Sequence, residues 1–156
     1  MMFFFPAYAY SAGNLKRNGN IRAREDAWNA VKMSLDGAHD LSVYIVELNK
    51  TERSASRALK ECVGLLKDAE SLLYRSVAGL YYSKINGAKE YLWGAGIAVA
   101  QCQDALVDAV LFLPDPKPWD PSNRLYDLVQ PKAYRVTKLI TDAVAAVDKI
   151  SQPRKP

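Results

Sequence analysis

The chain has 156 residues, enough for one domain with its own hydrophobic core. Hydrophobic residues make up 49% and charged residues 24%, so a folded globular protein is expected and wholesale disorder is not. The formal net charge of +4 is mild, and outside Lys16–Arg24 no basic stripe with interleaved aromatics indicates nucleic-acid binding. No apolar run reaches the roughly 18 residues that a membrane span requires.

Residues 1–21 are expected to form a loose N-terminal segment. They include Pro6 and several glycine and asparagine residues, and they show no sustained helical period. The opening stretch MMFFFPAYAYSAG is apolar but short. It lacks the basic region that begins a secretory signal peptide, so the residues alone do not favour one.

From about Arg22 to residue 150 the sequence shows helical periodicity, which is interrupted between the helices. In the first helix, apolar residues recur at spacings of three, four or seven from Trp28 onward. The polar stretch Asn49–Ser56 breaks the period and predicts a turn. A second helix follows from about Ser54 to Tyr82. We expect Asn86-Gly87 to end it, because both residues tolerate left-handed backbone.

A third helix is predicted from about Ala88 to Leu113, and four prolines in Pro114–Ser122 predict a stiff loop after it. The last helix is expected to begin near Ser122 or near Pro131, which suits a first-turn position. Residues 151–156 form a tail. Four long helices with short connections predict an all-α, antiparallel up-down-up-down four-helix bundle over residues 22–150.

The motifs that carry catalysis are missing from the sequence. His39 is the only histidine, and no spacing around it suits a metal site. There is no glycine-rich phosphate loop, no G-x-S-x-G and no H-E-x-x-H. The sequence therefore predicts a protein that is not an enzyme, with no metal and no cofactor.

The chain has two cysteines, each in the middle of a predicted helix. If the second and third helices turn at Asn86, the residue level with Cys62 is about 110, roughly two turns from Cys102. A disulfide between Cys62 and Cys102 fits this spacing only if the turn is shorter or a helix bends. Two buried free thiols are an equally good interpretation, because cysteine is a common core residue.

Two stretches, ALKECVGLLKDAESLL and AKEYLWGAGIAVAQCQDAL, resemble the plant invertase and pectin methylesterase inhibitor family. The first places Asp68 and Ala69 six and seven residues after Cys62, and the second places Asp104 two residues after Cys102. The closing helix VTKLITDAVAAVDKI is also similar to the last helix of that family. The resemblance covers roughly residues 25–150.

The resemblance implies a four-helix bundle with a disulfide between Cys62 and Cys102. It also implies a secreted plant protein of the apoplast or cell wall, which performs no chemistry but covers the substrate cleft of a carbohydrate-active enzyme. The partner-binding residues that it implies are Asp68, Ser71, Gln101 and Asp104. Ordinary solvated helix charge is the competing interpretation of the two aspartates.

The sequence also departs from the family. The usual N-terminal helical hairpin with two further cysteines is missing. The Pro-Lys-Phe element of the invertase inhibitors is absent before the third helix, where the chain has Lys84-Ile85-Asn86-Gly87, and this favours pectin methylesterase as the partner over acid invertase. An invertase inhibitor, a detached pro-region of a pectin methylesterase and a structural or interaction bundle with reduced cysteines are the alternatives.

Overall fold

The computed structural model describes residues 15–51, 56–111 and 121–151, with side chains described over 21–51, 56–108 and 127–150. Nearly all of these residues belong to four α-helices: α1 (Leu15–Thr51), α2 (Ser56–Tyr81), α3 (Ile85–Leu111) and α4 (Pro121–Ser151). No strand occurs within the described ranges. The predicted all-α class is confirmed.

The four helices form a ring in which each helix packs against two others: α1 with α2, α2 with α3, α3 with α4, and α4 with α1. In every pair, residues early in one helix lie beside residues late in the other, which makes the neighbours antiparallel. The residue pairs that show this are His39–Glu70 and Arg24–Ser83 for α1 with α2 and its turn, and Cys62–Cys102 and Gly79–Ala88 for α2 with α3. For α3 with α4 they are Gly96–Ile140 and Lys89–Asp148, and for α1 with α4 they are Gly37–Leu139 and Tyr44–Lys132.

A continuous apolar core runs along the axis of this ring. Each helix turns one stripe of side chains inward, and α2 contributes the longest run of leucines. Burial of one such leucine contributes about 1.5–3 kcal/mol relative to leaving it in water. No helix in the described part of the chain is both long enough and apolar enough to cross a bilayer. The largest fully buried side chains are Val31, Ile45, Leu59, Leu66, Leu73, Leu80, Leu92, Val99, Val129 and Val147.

The turn between α2 and α3 lies earlier than the sequence pattern predicted. α2 ends at Tyr81, and Asn86-Gly87 lies in the first turn of α3, so the prediction that this pair ends α2 is wrong. Ser83 takes the left-handed position, with φ 63°. The Lys84 N–H donates to the Gly79 carbonyl (2.7 Å) and the Ser83 N–H to the Leu80 carbonyl (3.2 Å), the hydrogen-bond pattern of a Schellman cap.

The outer ends of the helices also differ from expectation. α1 begins at Leu15, so residues 15–21 of the predicted N-terminal segment are helical. α4 begins at Pro121, where a proline loses no hydrogen bond, whereas Pro131 lies inside the helix. Residues 1–14, most of the predicted proline-rich loop and residues 152–156 lie outside the described residues.

Candidate functional site

The two cysteines meet at the interface of α2 and α3, where both are fully buried. They are free thiols, so the disulfide implied by the family resemblance is not formed. The Cys62 Sγ–H instead donates to the backbone carbonyl of Cys102 at 2.8 Å. The sequence placed residue 110 level with Cys62 because it assumed a turn at Asn86. Since α2 ends at Tyr81, the turn comes earlier, and the residue level with Cys62 moves from about 110 towards Cys102.

The environment of Cys62 keeps its side chain protonated. A side-chain hydrogen bond with Cys102 raises the pKa of the Cys62 thiol far above its ordinary value, and burial and the nearby Cys102 and Glu61 act in the same direction. A thiol that does not ionise is a poor nucleophile and a poor metal ligand. Among the described residues, no group of His, Cys, Asp and Glu side chains could hold a metal ion.

Two of the four predicted partner-binding residues line one shallow groove on the outside of α2 and α3. Gln101 and Asp104 are both exposed and belong to α3. The groove has a volume of about 410 Å³. We call it the α2/α3 groove; its lining is Glu61, Leu65, Gln101, Asp104, Ala105 and Asp108.

The other two predicted residues lie on α2 outside this groove, and both are exposed. Asp68 follows Leu65 by about one helical turn on the same edge of α2, so it extends the groove along the bundle. Ser71 precedes Leu72, the side chain that would meet a Cβ at Gly94 of α3. One residue corresponds to about 100° of helix rotation, so Ser71 lies away from α3 and is not brought together with the others.

The α2/α3 groove presents negative charge. Three of its lining residues are carboxylates and none is a lysine or arginine. Within the described residues, the ion pairs lie elsewhere and include none of these three carboxylates. Unpaired carboxylates at a surface can accept charge-assisted hydrogen bonds from a cationic partner, so this groove suits a partner with lysine, arginine or hydroxyl groups.

Sequence reasoning missed an apolar part of the same surface. Trp93 and Ile97 of α3 are 59% and 60% exposed, and Gln101 follows them at helical spacing. Trp93 directly precedes Gly94, which faces Leu72 of α2, so Trp93 lies on the outer side of α3, about 100° of helix rotation from the α2 contact. Ile97 is nearly level with Asp68, because Asp68 comes six residues after Cys62 and Ile97 five before Cys102. The available signal was that Trp93 and Ile97 fall outside the apolar stripe of the third helix, whose spacing runs through Leu92, Ala95, Val99 and Cys102.

Exposed aromatic and aliphatic side chains surrounded by polar groups are typical of protein-binding surfaces. We therefore treat the groove and the adjacent exposed residues as one candidate protein-binding surface, the α2/α3 face. Its members are the α2/α3 groove together with Asp68, Trp93 and Ile97.

A second groove, between α1 and α4, differs in charge. The α1/α4 groove has a volume of about 370 Å³, and its charged lining residues are Asp36, Asp40, Lys132 and Arg135. The Lys132 ammonium also lies 4.7 Å from the centre of the Tyr44 ring. With both signs present, this groove has no net preference for a cationic or an anionic partner.

Comparisons of the chain with protein-family models, with curated proteins and with solved structures gave no match. The class that the fold and the site define is a four-helix bundle with an acidic and apolar protein-binding candidate face. The particular family remains a prediction from the residues quoted above.

Proposed function

We propose that this chain is a non-catalytic protein that inhibits a plant carbohydrate-active enzyme, pectin methylesterase, by covering its substrate cleft. The observation that carries the proposal is the α2/α3 face, where exposed Trp93 and Ile97 precede Gln101 and Asp104 along the outer side of α3. The sequence resemblance to inhibitors of this kind points to the same pair of helices.

The face combines the two features that a protein-binding surface needs. Trp93 and Ile97 supply apolar area that a partner can bury, and aromatic anchors of this kind carry much of the binding energy in known interfaces. The carboxylates beside them supply orientation and specificity through charged hydrogen bonds.

The close packing of α2 against α3 supports binding with little loss of conformational entropy. A Cβ at Gly79 would lie 3.3 Å from the Ala88 Cβ and the Lys84 carbonyl oxygen, so the backbones approach closely there. At Gly94 a Cβ would lie 3.2 Å from Leu72 Cδ1. A surface carried by two tightly packed helices is already ordered before the partner arrives.

The chemistry of the proposed target fits the charge of the face. An enzyme that binds an acidic polysaccharide needs basic and hydroxyl groups in its cleft. Carboxylates such as Asp104 and Asp108 would bind those groups in place of the polymer. Secretion to the apoplast or cell wall belongs to the same proposal, since the enzyme acts there.

An acid invertase is the alternative target within the same class. A second candidate function is an interaction bundle in a reducing compartment, and the specific observation that favours it is the pair of free thiols in a well-packed core. Inhibition assays with each enzyme distinguish pectin methylesterase from acid invertase as the target. If the protein inhibits neither enzyme and both of its cysteines are free after isolation, it matches the interaction bundle.

The proposal is tested by measuring inhibition of pectin methylesterase and acid invertase by the full chain and by D68A/D104A. Loss of two charged hydrogen bonds is expected to weaken binding by about 2–5 kcal/mol. The melting temperature should change little, because exposed carboxylates contribute little to stability. The matched control is D36A/D40A, which removes two exposed aspartates from the α1/α4 groove. Equal inhibition by both double variants and the parent would refute the site.

A further inference from the structure

An aromatic groove lies between α1 and α2, at the end of the bundle where α2 turns into α3. Its volume is about 300 Å³. It is separate from the α2/α3 face, which uses the opposite edge of α2. The lining residues are Trp28, Tyr74, Val77, Ala78, Tyr81 and Tyr82.

The residues of the aromatic groove are arranged as a floor with exposed walls. Trp28 is only 7% exposed, and the Lys32 ammonium lies 4.7 Å from its ring centre. Tyr74, Tyr81 and Tyr82 are 67%, 53% and 69% exposed. Scattered exposed aromatics need no explanation, but a cluster of them around one groove indicates a surface that is covered by something.

The start of the chain enters at this same end of the bundle. Arg24 of α1 donates a hydrogen bond to the Ser83 hydroxyl in the α2–α3 turn, so α1 residues before Arg24 extend past that turn. The helix begins at Leu15, and the structure does not describe the 14 residues before it. Those residues are therefore tethered close to the aromatic groove.

The composition of the tethered segment matches the groove. Residues 1–10 read MMFFFPAYAY, with no charged side chain and five aromatic residues. Phenylalanine and tyrosine rings pack well against other aromatic rings in edge-to-face and offset geometries.

The tether is also long enough. Leu15 lies about 20 Å along α1 from Trp28. The ten residues from Phe5 to Asn14 span up to about 33–36 Å when extended. Phe5 can therefore fold back along α1 to the groove without any change in the helices.

We propose that the aromatic groove is the docking site of the chain's own first ten residues. The rings of Phe3, Phe4 and Phe5 pack against Trp28 and Tyr74 in this arrangement. A short tether gives the segment an effective concentration in the millimolar range, whereas a second copy of the chain must compete from bulk solution. This proposal does not depend on the inhibitory function.

The test is tyrosine acetylation of the full chain with N-acetylimidazole, followed by mass spectrometry at each tyrosine. Tyr134 on α4 is the internal control, because its exposed fraction of 61% is close to the 67% of Tyr74. If the segment is docked about nine-tenths of the time, Tyr74 should react on the order of tenfold more slowly than Tyr134. In F3S/F4S/F5S, with helicity checked by circular dichroism, the two rates should become similar.

Equal reactivity of Tyr74 and Tyr134 in the parent chain would overturn the proposal without any variant. Slow reaction of Tyr74 that persists in F3S/F4S/F5S would overturn it as well, because the cover would not be this segment. Protection of Tyr74 that disappears on dilution would assign the groove to a second copy and reject the intramolecular contact.

Discussion

The α2/α3 and α1/α4 grooves are comparable in size but differ in charge and in packing. The first has three lining carboxylates and no lining cation, whereas the second mixes Asp36 and Asp40 with Lys132 and Arg135. The helices of the first groove approach backbone to backbone at Gly79, beyond the groove and next to the α2–α3 turn. Beside the second groove, a Cβ at Gly37 would meet only side-chain ends, Leu139 Cδ1 at 3.1 Å and Val136 Cγ2 at 3.6 Å. The α2–α3 pair thus combines an acidic groove with a close backbone approach, whereas the α1–α4 pair has a mixed groove and side-chain packing.

A groove of one charge and a close backbone approach therefore occur on the same pair of helices, α2 and α3. A surface of one charge attracts partners of the opposite charge over a distance, and a mixed surface does not. A rigid surface also loses less entropy on binding. The functional proposal depends on α2 and α3 having both properties.

Charge reversal should have the largest effect. D104K/D108K replaces two lining carboxylates of the α2/α3 groove with lysines, and we expect the association rate with pectin methylesterase to fall by roughly tenfold to a hundredfold at low salt. Stopped-flow or surface-plasmon measurements give this rate. D36K/D40K is the matched control and should leave it nearly unchanged. A similar loss in both variants would remove the distinction between the grooves.

Glycine-to-alanine substitutions test the difference in packing. G79A places a Cβ within 3.3 Å of the Lys84 carbonyl oxygen, which cannot move without shifting backbone, so we expect a loss of about 1–3 kcal/mol in the free energy of unfolding. G37A meets Leu139 Cδ1 at 3.1 Å, a side-chain end that can rotate away. Its steric cost is offset by about 1 kcal/mol of helix propensity, so G37A should be nearly neutral.

Urea denaturation of the two variants beside the parent measures this difference. If G37A lowers the free energy of unfolding as much as G79A does, the two helix pairs do not differ in packing.

The buried thiol predicts a pH dependence of stability that arises at the interface of α2 and α3. The pKa of Cys62 is raised in the folded state, so the folded protein keeps a proton that the unfolded chain loses above its ordinary pKa of about 8.5. The contribution to stability is complete below that pH and is lost as pH rises. One such group lowers the free energy of unfolding by about 1.4 kcal/mol per pH unit at pH 9–10.

Urea denaturation of the parent and of Cys62→Ala between pH 7 and 10 checks this prediction. The alanine variant should be less stable at pH 7 and should have a shallower decline with pH. Identical slopes in the two proteins would show that Cys62 is not held protonated by the fold.

Much of the bundle follows from periodicity. In α2 the residues Leu59, Leu66, Leu73 and Leu80 recur at helical spacing and are all buried, because apolar residues at that spacing lie on one face of the helix. The turn was harder to place, since Asn86-Gly87 is the stronger local signal for a helix end. The actual end places a serine, Ser83, in the left-handed position, which only tertiary packing of α2 on α3 selects.

The site could be predicted only in part. Gln101 and Asp104 are on the surface as expected, and their placement beside Glu61 follows from the antiparallel pairing through Cys62 and Cys102. The family resemblance groups Ser71 with them, but about 100° of helix rotation separates Ser71 from Leu72, which faces α3. The exposure of Trp93 depends on which neighbours α3 has, and a single sequence does not give the neighbours.

The affinities of W93A and of Y134A for pectin methylesterase show whether the α2/α3 face is the binding surface. The two aromatic side chains have similar exposed fractions, 59% and 61%, but only Trp93 lies on the α2/α3 face. W93A should lose about 2 kcal/mol or more of binding free energy, roughly a thirtyfold weaker affinity, while Y134A binds as the parent does. Unchanged affinity in W93A, or an equal loss in Y134A, would contradict the assignment of the α2/α3 face as the binding surface.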